Sequence, residues 1–155
     1  MRILTTALLA ASAATAAGQS TLPPCPVPFA AHRWSNCFGT AMTNTGALYR
    51  GEWLNDRYHG RGSYTTRNSE QYVGEFRDNQ RNGEGTYTWP DGARHSGGYK
   101  NDQRNGKGSF IFPDGRKFIG EYRNNTRNGF GTEYGADGKV LQSGIWKDDA
   151  LVQRQ

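Results

Sequence analysis

The chain has 155 residues and a formal net charge of +5, from 19 Lys and Arg against 14 Asp and Glu. Hydrophobic residues make up only 34% and Gly fills 21 positions, poor material for packed helices, so aromatic side chains at 12% must supply most of the apolar burial. The mild charge, interspersed with acids, permits attraction to anionic surfaces without demanding it, and no nucleic acid is expected as a partner.

Residues 1–17 read as a secretory signal peptide. Arg2 supplies the positive start, and Ile3 to Ala11 is an apolar run too short to span a bilayer. Ala14, Thr15, Ala16 and Ala17 are the small residues a signal peptidase cleft accepts, so cleavage is expected near Ala17. The competing readings are an uncleaved anchor or a mitochondrial transit peptide; a single Arg without an amphipathic basic pattern speaks against the latter. The expected location is the periplasm or the extracellular space, in the style of a bacterial envelope protein. Prolines before Cys25 (Leu22-Pro23-Pro24-Cys25) argue against a lipoprotein site.

Residues 18–36 form a Pro-rich segment containing Cys25. The only other cysteine is Cys37. In an oxidising compartment such an isolated pair is expected to form a disulfide, closing a loop worth roughly 3 kcal/mol in the chain-entropy account; the alternative is two free thiols. Two cysteines without a nearby His pair are too few for a metal site, and no cofactor is expected.

From there the chain repeats. Tyr49-Arg50-Gly51-Glu52-Trp53 aligns with Tyr72-Val73-Gly74-Glu75-Phe76, His95-Ser96-Gly97-Gly98-Tyr99 and Phe118-Ile119-Gly120-Glu121-Tyr122, a constant step of 23 residues. Gly60 and Gly62 recur at the same step as Gly83 and Gly85, Gly106 and Gly108, and Gly129 and Gly131. Low hydrophobicity alone would suggest disorder; this regularity argues for a repeat array instead.

Within a unit, Tyr49, Gly51 and Trp53 alternate with the strand period. The polar run Asn55-Asp56-Arg57-Tyr58-His59 is expected to turn, and Gly60, Gly62 and Tyr64 resume alternation on a second strand. Asp91-Gly92 and Asp114-Gly115 supply residues that tolerate positive φ in the next turn. Stacking such units predicts an all-β fold, one elongated antiparallel layer of β-hairpins. Three aromatic ladders are expected along it. They are Trp53, Phe76, Tyr99 and Tyr122; Tyr49, Tyr72, His95 and Phe118; and Tyr64, Tyr87 and Phe110. They read as core, with an aromatic ligand groove as the alternative.

This pattern resembles the MORN (membrane occupation and recognition nexus) repeat family over about residues 37–150. Tyr49, Gly51, Glu52, Trp53, His59, Gly60, Gly62 and Tyr64 carry the resemblance, as do Tyr72, Gly74, Glu75, Phe76, Gly83, Gly85, Tyr87, Asp91 and Gly92. Four repeats are placed at residues 49–140, with a degenerate half repeat or N-terminal cap at 37–48 and a partial repeat and C-terminal cap at 141–155. Gly98 replaces the usual Glu, and His95 the usual Tyr. Glu133 stands where Tyr64 or Tyr87 would, which suggests a one-residue shift towards Tyr134. Gly144 and Trp146 align only after an insertion, and the last unit is expected to stop after one strand.

No catalytic constellation is evident. His32, His59 and His95 lack partners at metal-ligand spacing. Glu52, Glu75 and Glu121 recur on one ladder, which suggests a structural job: accepting hydrogen bonds from turn backbone or pairing with Arg. Arg81, Arg104 and Arg127 are read as residues of the polar turn. Arg77, Lys100, Arg123 and Lys147 form a second basic series. These stripes could bind anionic head groups, glycan acids or an acidic protein, or be ordinary solvated turn. The resemblance implies a non-enzymatic scaffold contacting an envelope protein or itself, with attachment to anionic lipid or wall polymer as the alternative.

Overall fold

The computed structural model describes residues 20–28 and 33–155. The segment read as a signal peptide, and His32, lie outside the described residues. Eleven strands follow in chain order: β1 (Cys37–Met42), β2 (Leu48–Leu54), β3 (Arg57–Thr65), β4 (Gln71–Arg77), β5 (Gln80–Thr88), β6 (Arg94–Lys100), β7 (Gln103–Ile111), β8 (Lys117–Arg123), β9 (Thr126–Tyr134), β10 (Val140–Lys147) and β11 (Ala150–Arg154). Each pairs antiparallel with the next, giving one sheet in sequence order.

Two kinds of turn alternate along its edges. On one edge both central residues have positive φ, as at Asn55 (51°) and Asp56 (61°) or Asp78 (48°) and Asn79 (68°). Asn and Asp tolerate this left-handed region, and such two-residue turns match the strand twist. The turn therefore uses only Asn55 and Asp56, and the expectation that it runs to His59 is corrected: Arg57 already begins β3. Arg81, Arg104 and Arg127 likewise leave the turn where the sequence placed them and stand second in β5, β7 and β9.

The first strand of a unit has seven residues and the second nine. A bulge absorbs the difference: Gly74 pairs Gly85, but Phe76 already pairs Arg81. The bulge glycine is Gly83 there, with φ 76°, and its equivalents in the other units also have positive φ. Beyond the bulge, the rings of Tyr49, Tyr72 and Phe118 lie across paired glycines. A Cβ at Gly62 would stand 2.6 Å from the Tyr49 hydroxyl oxygen, so glycine is required by close approach. A single layer thus buries aromatic rings completely: Tyr49, His95 and Phe118 are 0% exposed.

Two expectations near the C-terminus are overturned. Glu133 keeps register, paired with Phe118, and no shift to Tyr134 occurs. Its buried carboxylate accepts hydrogen bonds from Arg116 (3.2 Å), Arg127 (3.5 Å) and Gln142 (3.0 Å), so an acid can occupy a ring position. The inserted residue is Leu141, skipped between the Val140–Tyr134 and Gln142–Glu133 pairs. Nor does the last unit stop after one strand, because β11 completes a hairpin with β10.

At the other end Pro24 bridges Phe38 in parallel. Cys25 N–H donates to the Phe38 carbonyl (2.9 Å), and Phe38 N–H donates to the Pro23 carbonyl (2.8 Å). The Cys25–Cys37 disulfide is formed, and Trp34 packs edge-on against Trp53 with centroids 5.0 Å apart.

Candidate interaction surfaces

Strand alternation gives the sheet two faces. The ring face carries Trp53, Phe76, Tyr99 and Tyr122, all buried, beside the fully buried ladder of Tyr49, Tyr72, His95 and Phe118. Tyr49 and Tyr72 each donate their hydroxyl to a carbonyl three residues on, Glu52 (2.9 Å) and Glu75 (3.1 Å). Burial pushes the Tyr49 and Tyr72 phenols up, and those of Tyr99 and Tyr122 to about 12. Tyr64, Tyr87 and Phe110 are only half-buried, although they alternate in one cross-strand row with the ladder of Tyr49, Tyr72, His95 and Phe118 and pack against it.

Arg81, Arg104 and Arg127 belong to this face. Each pairs across the hairpin with a core ring, at Phe76, Tyr99 and Tyr122, as Tyr58 does with Trp53. Tyr58 stacks on Tyr49 at 3.9 Å. The guanidinium groups occupy the same place over rings: Arg81 lies 5.1 Å from the Tyr87 centroid and 5.4 Å from Tyr99. Arg104 is 5.2 Å from Tyr122 and Arg127 4.1 Å from Trp146. They are covers for the aromatic core.

The open face carries Arg77, Lys100, Arg123 and Lys147, all exposed. The two basic series are therefore on opposite faces and do not form one stripe. Glu52, Glu75 and Glu121 are also here. Among the described residues their carboxylates enter no ion pair and accept no hydrogen bond from backbone, contrary to the sequence reading. Instead each carboxyl group lies over a bulge glycine: a Cβ at Gly60 would be 2.9 Å from Glu52 Cδ, and one at Gly83 2.8 Å from Glu75 Cδ. The third unit has Gly98 in the Glu position, and a Cβ at Gly106 would meet nothing within 4 Å.

The third unit differs on the ring face as well. His95 stands between Tyr99 (5.4 Å) and Tyr122 (4.9 Å), edge-on to both. Neither ring nitrogen has a hydrogen-bond partner. Burial, reinforced by the Arg104 cation, lowers its pKa to about 4. The apolar core divides here: one cluster runs from Cys25 to Tyr99, another begins at Phe118.

A groove of about 700 Å³ crosses β5 to β9 on the open face, with Glu84, Lys107, Ser109, Ile119, Glu121 and Phe130 among its lining. The ladder pattern in the sequence does not reveal it; its signal lies in the alternate positions, where Ile111, Ile119, Phe130 and Ile145 interrupt polar rows. Among the described residues, no three His, Cys, Asp or Glu side chains gather where a metal ion could sit.

A single-layer sheet of hairpins at a 23-residue step, with rings over glycine pairs, defines a β-hairpin repeat protein. The family described as MORN repeat matches residues 49–70, 72–94, 95–115 and 118–140, and the chain belongs to this family. The family is in general a non-enzymatic repeat module. No curated protein matches the chain.

Proposed function

We propose that the protein is a non-enzymatic binding scaffold of the cell envelope that contacts another protein through its sheet surface. The observation that carries this reading is the open face, continuous across the sheet and covered by no other element among the described residues, where Ile119 and Phe130 are each 44% exposed. Exposed large apolar side chains on a rigid surface favour association. Photo-crosslinking from Ile119 or Phe130 positions in the full chain, in envelope extract, should trap a discrete partner; a smear equal to that from a turn position such as Asn124 would sink the reading.

Attachment to anionic lipid or wall polymer is the second reading, favoured by the exposed cations Arg77, Lys100, Arg123 and Lys147. Vesicle sedimentation that falls steeply with salt is its expected signature. Export is part of the proposal. The Cys25–Cys37 disulfide supports an oxidising compartment, and N-terminal sequencing of the mature protein should begin just after Ala17.

A further inference from the structure

The cations of this protein fall into two populations. Arg81 and Arg127 are held internally, by Asp102 at 3.0 Å and by Asp149 at 3.2 Å, while Arg104 lies over Phe110 and Tyr122. On the open face of β6–β10, Arg94, Lys100, Lys107, Lys117, Arg123 and Lys147 enter no ion pair among the described residues. Glu121 is the one carboxylate on that stretch of face, opposite Lys107. On β2–β5 the same face sets Glu52, Glu75 and Glu84 among Arg50, Arg57, Arg61 and Arg77, and Arg57 is paired with Asp78 of the adjoining turn (3.4 Å), so charge there is balanced. Gly98 is one cause of the asymmetry, since it removes a carboxylate that other units carry.

Apolar side chains share the basic half. Cross-strand pairing sets Arg94, Ile111, Lys117, Tyr134 and Val140 in one row across five strands. The next row runs Ser96, Ser109, Ile119, Thr132 and Ser143. A third places Phe130 beside Ile145. Five strands at roughly 4.8 Å spacing give a row close to 20 Å long, the reach of about six extended residues.

We infer that the open face of β6–β10 docks an extended acidic segment of a partner protein, one that also carries aliphatic or aromatic side chains. This rests on the scaffold reading and specifies its surface and the chemistry of its partner. The segment lies across the strands. Its carboxylates meet Arg94, Lys107 and Lys117, its apolar side chains cover Ile119 and Phe130, and the Ser96 and Ser109 hydroxyls meet its peptide groups. Charge complementarity sets the sign of the partner. A polypeptide fits better than a lipid head-group layer because Glu84 and Glu121 line the same groove. A planar anionic layer meets those carboxylates as repulsion, whereas a chain can direct each acid to a cation.

The test titrates the full-length chain with a random copolymer of glutamate and tyrosine, and with polyglutamate as the charge-only probe. Phosphatidylglycerol vesicles test the lipid alternative. Lys107→Glu with Lys117→Glu should weaken copolymer binding on the order of tenfold. Arg61→Glu with Arg77→Glu, equal in charge change, should leave it nearly unchanged. Phe130→Ser should remove the preference for copolymer over polyglutamate. Circular dichroism checks that each variant retains the sheet; Arg61, Arg77, Lys107 and Phe130 are exposed, and Lys117 is half-buried over the Tyr134 ring (5.5 Å), outside the core, so folding of the variants is the expected result. Wild-type chain that ignores the copolymer, equal losses from both charge-reversed pairs, or vesicle binding without copolymer binding each overturns the inference. Crosslinking to a partner from another part of the face, with no copolymer effect, keeps the scaffold reading and discards this surface.

Discussion

Asp102 and Arg81 are joined by two hydrogen bonds that continue the β-ladder through a turn. The Asp102 N–H donates to the Arg81 carbonyl at 3.0 Å, and the Arg81 N–H donates to Asp102 Oδ1 at 2.9 Å. Asn79 does the same for Tyr58 (3.1 and 2.8 Å), Asn125 for Arg104 (3.1 and 2.9 Å) and Asp149 for Arg127 (3.1 and 2.9 Å). The second turn residue therefore satisfies its own left-handed backbone and couples one repeat to the one before. A side-chain oxygen two atoms from the backbone is what this geometry needs, which explains why Asn and Asp alternate freely there.

Removing the Arg81 guanidinium loses ring contacts and the Asp102 pair together. Arg81→Gln should cost about 1–2 kcal/mol, combining partly exposed cation–π and ion-pair contributions. Urea unfolding measures this; a cost below about 0.5 kcal/mol, ordinary for a solvated surface position, would show that the rings need no cover.

Core truncation should be far more damaging. Phe76→Ala or Tyr99→Ala should cost roughly 3–5 kcal/mol, because each ring is buried on the ring face, edge-on to Tyr72, and its loss leaves a void there. The readout is the urea midpoint, and a loss comparable to that of Arg81→Gln contradicts the assignment of these rings as core.

His95 makes stability pH-dependent. Its pKa is about 4 in the fold against an ordinary value of 6.5, so the folded state needs the neutral ring. The groups facing it are Arg104, Tyr99 and Tyr122, with Tyr87 and Phe110 paired across β5 and β7. Stability from this group is complete above pH 6.5 and is lost as the pH falls from 6.5 towards 4. The loss reaches at most about 3 kcal/mol, at 1.36 kcal/mol per pKa unit. His95→Phe should flatten that part of the urea-midpoint profile; an identical profile in the variant assigns the acid sensitivity to carboxylates.

The disulfide should matter locally. Reduction of Cys25–Cys37 should free the segment that bridges Phe38, at a cost near 3 kcal/mol in the loop-entropy account. Limited proteolysis between residues 20 and 36 should accelerate with reductant while the repeats stay intact. Alkylation of both thiols in native exported material would contradict the bond.

The sequence by itself determined the repeat, its strand period and the hairpin class of the fold. These depend on local physics: alternation of rings and glycines, and Asp-Gly pairs that accept positive φ, legible wherever they recur at one step. The membership of Trp53, Phe76, Tyr99 and Tyr122 in one ladder was legible for the same reason. The face and role of each arginine were not. A two-residue turn and a bulge at Gly83 shift the second strand relative to the first, and only the cross-strand register shows that Arg81 covers rings while Arg77 faces outward. Glu133 was equally opaque, because its place in the core depends on Arg116, Arg127 and Gln142 arriving from three strands or turns. Charge pairing and exposure are properties of side chains brought together across the sheet, so the division between held and unpaired cations was decided by tertiary structure alone.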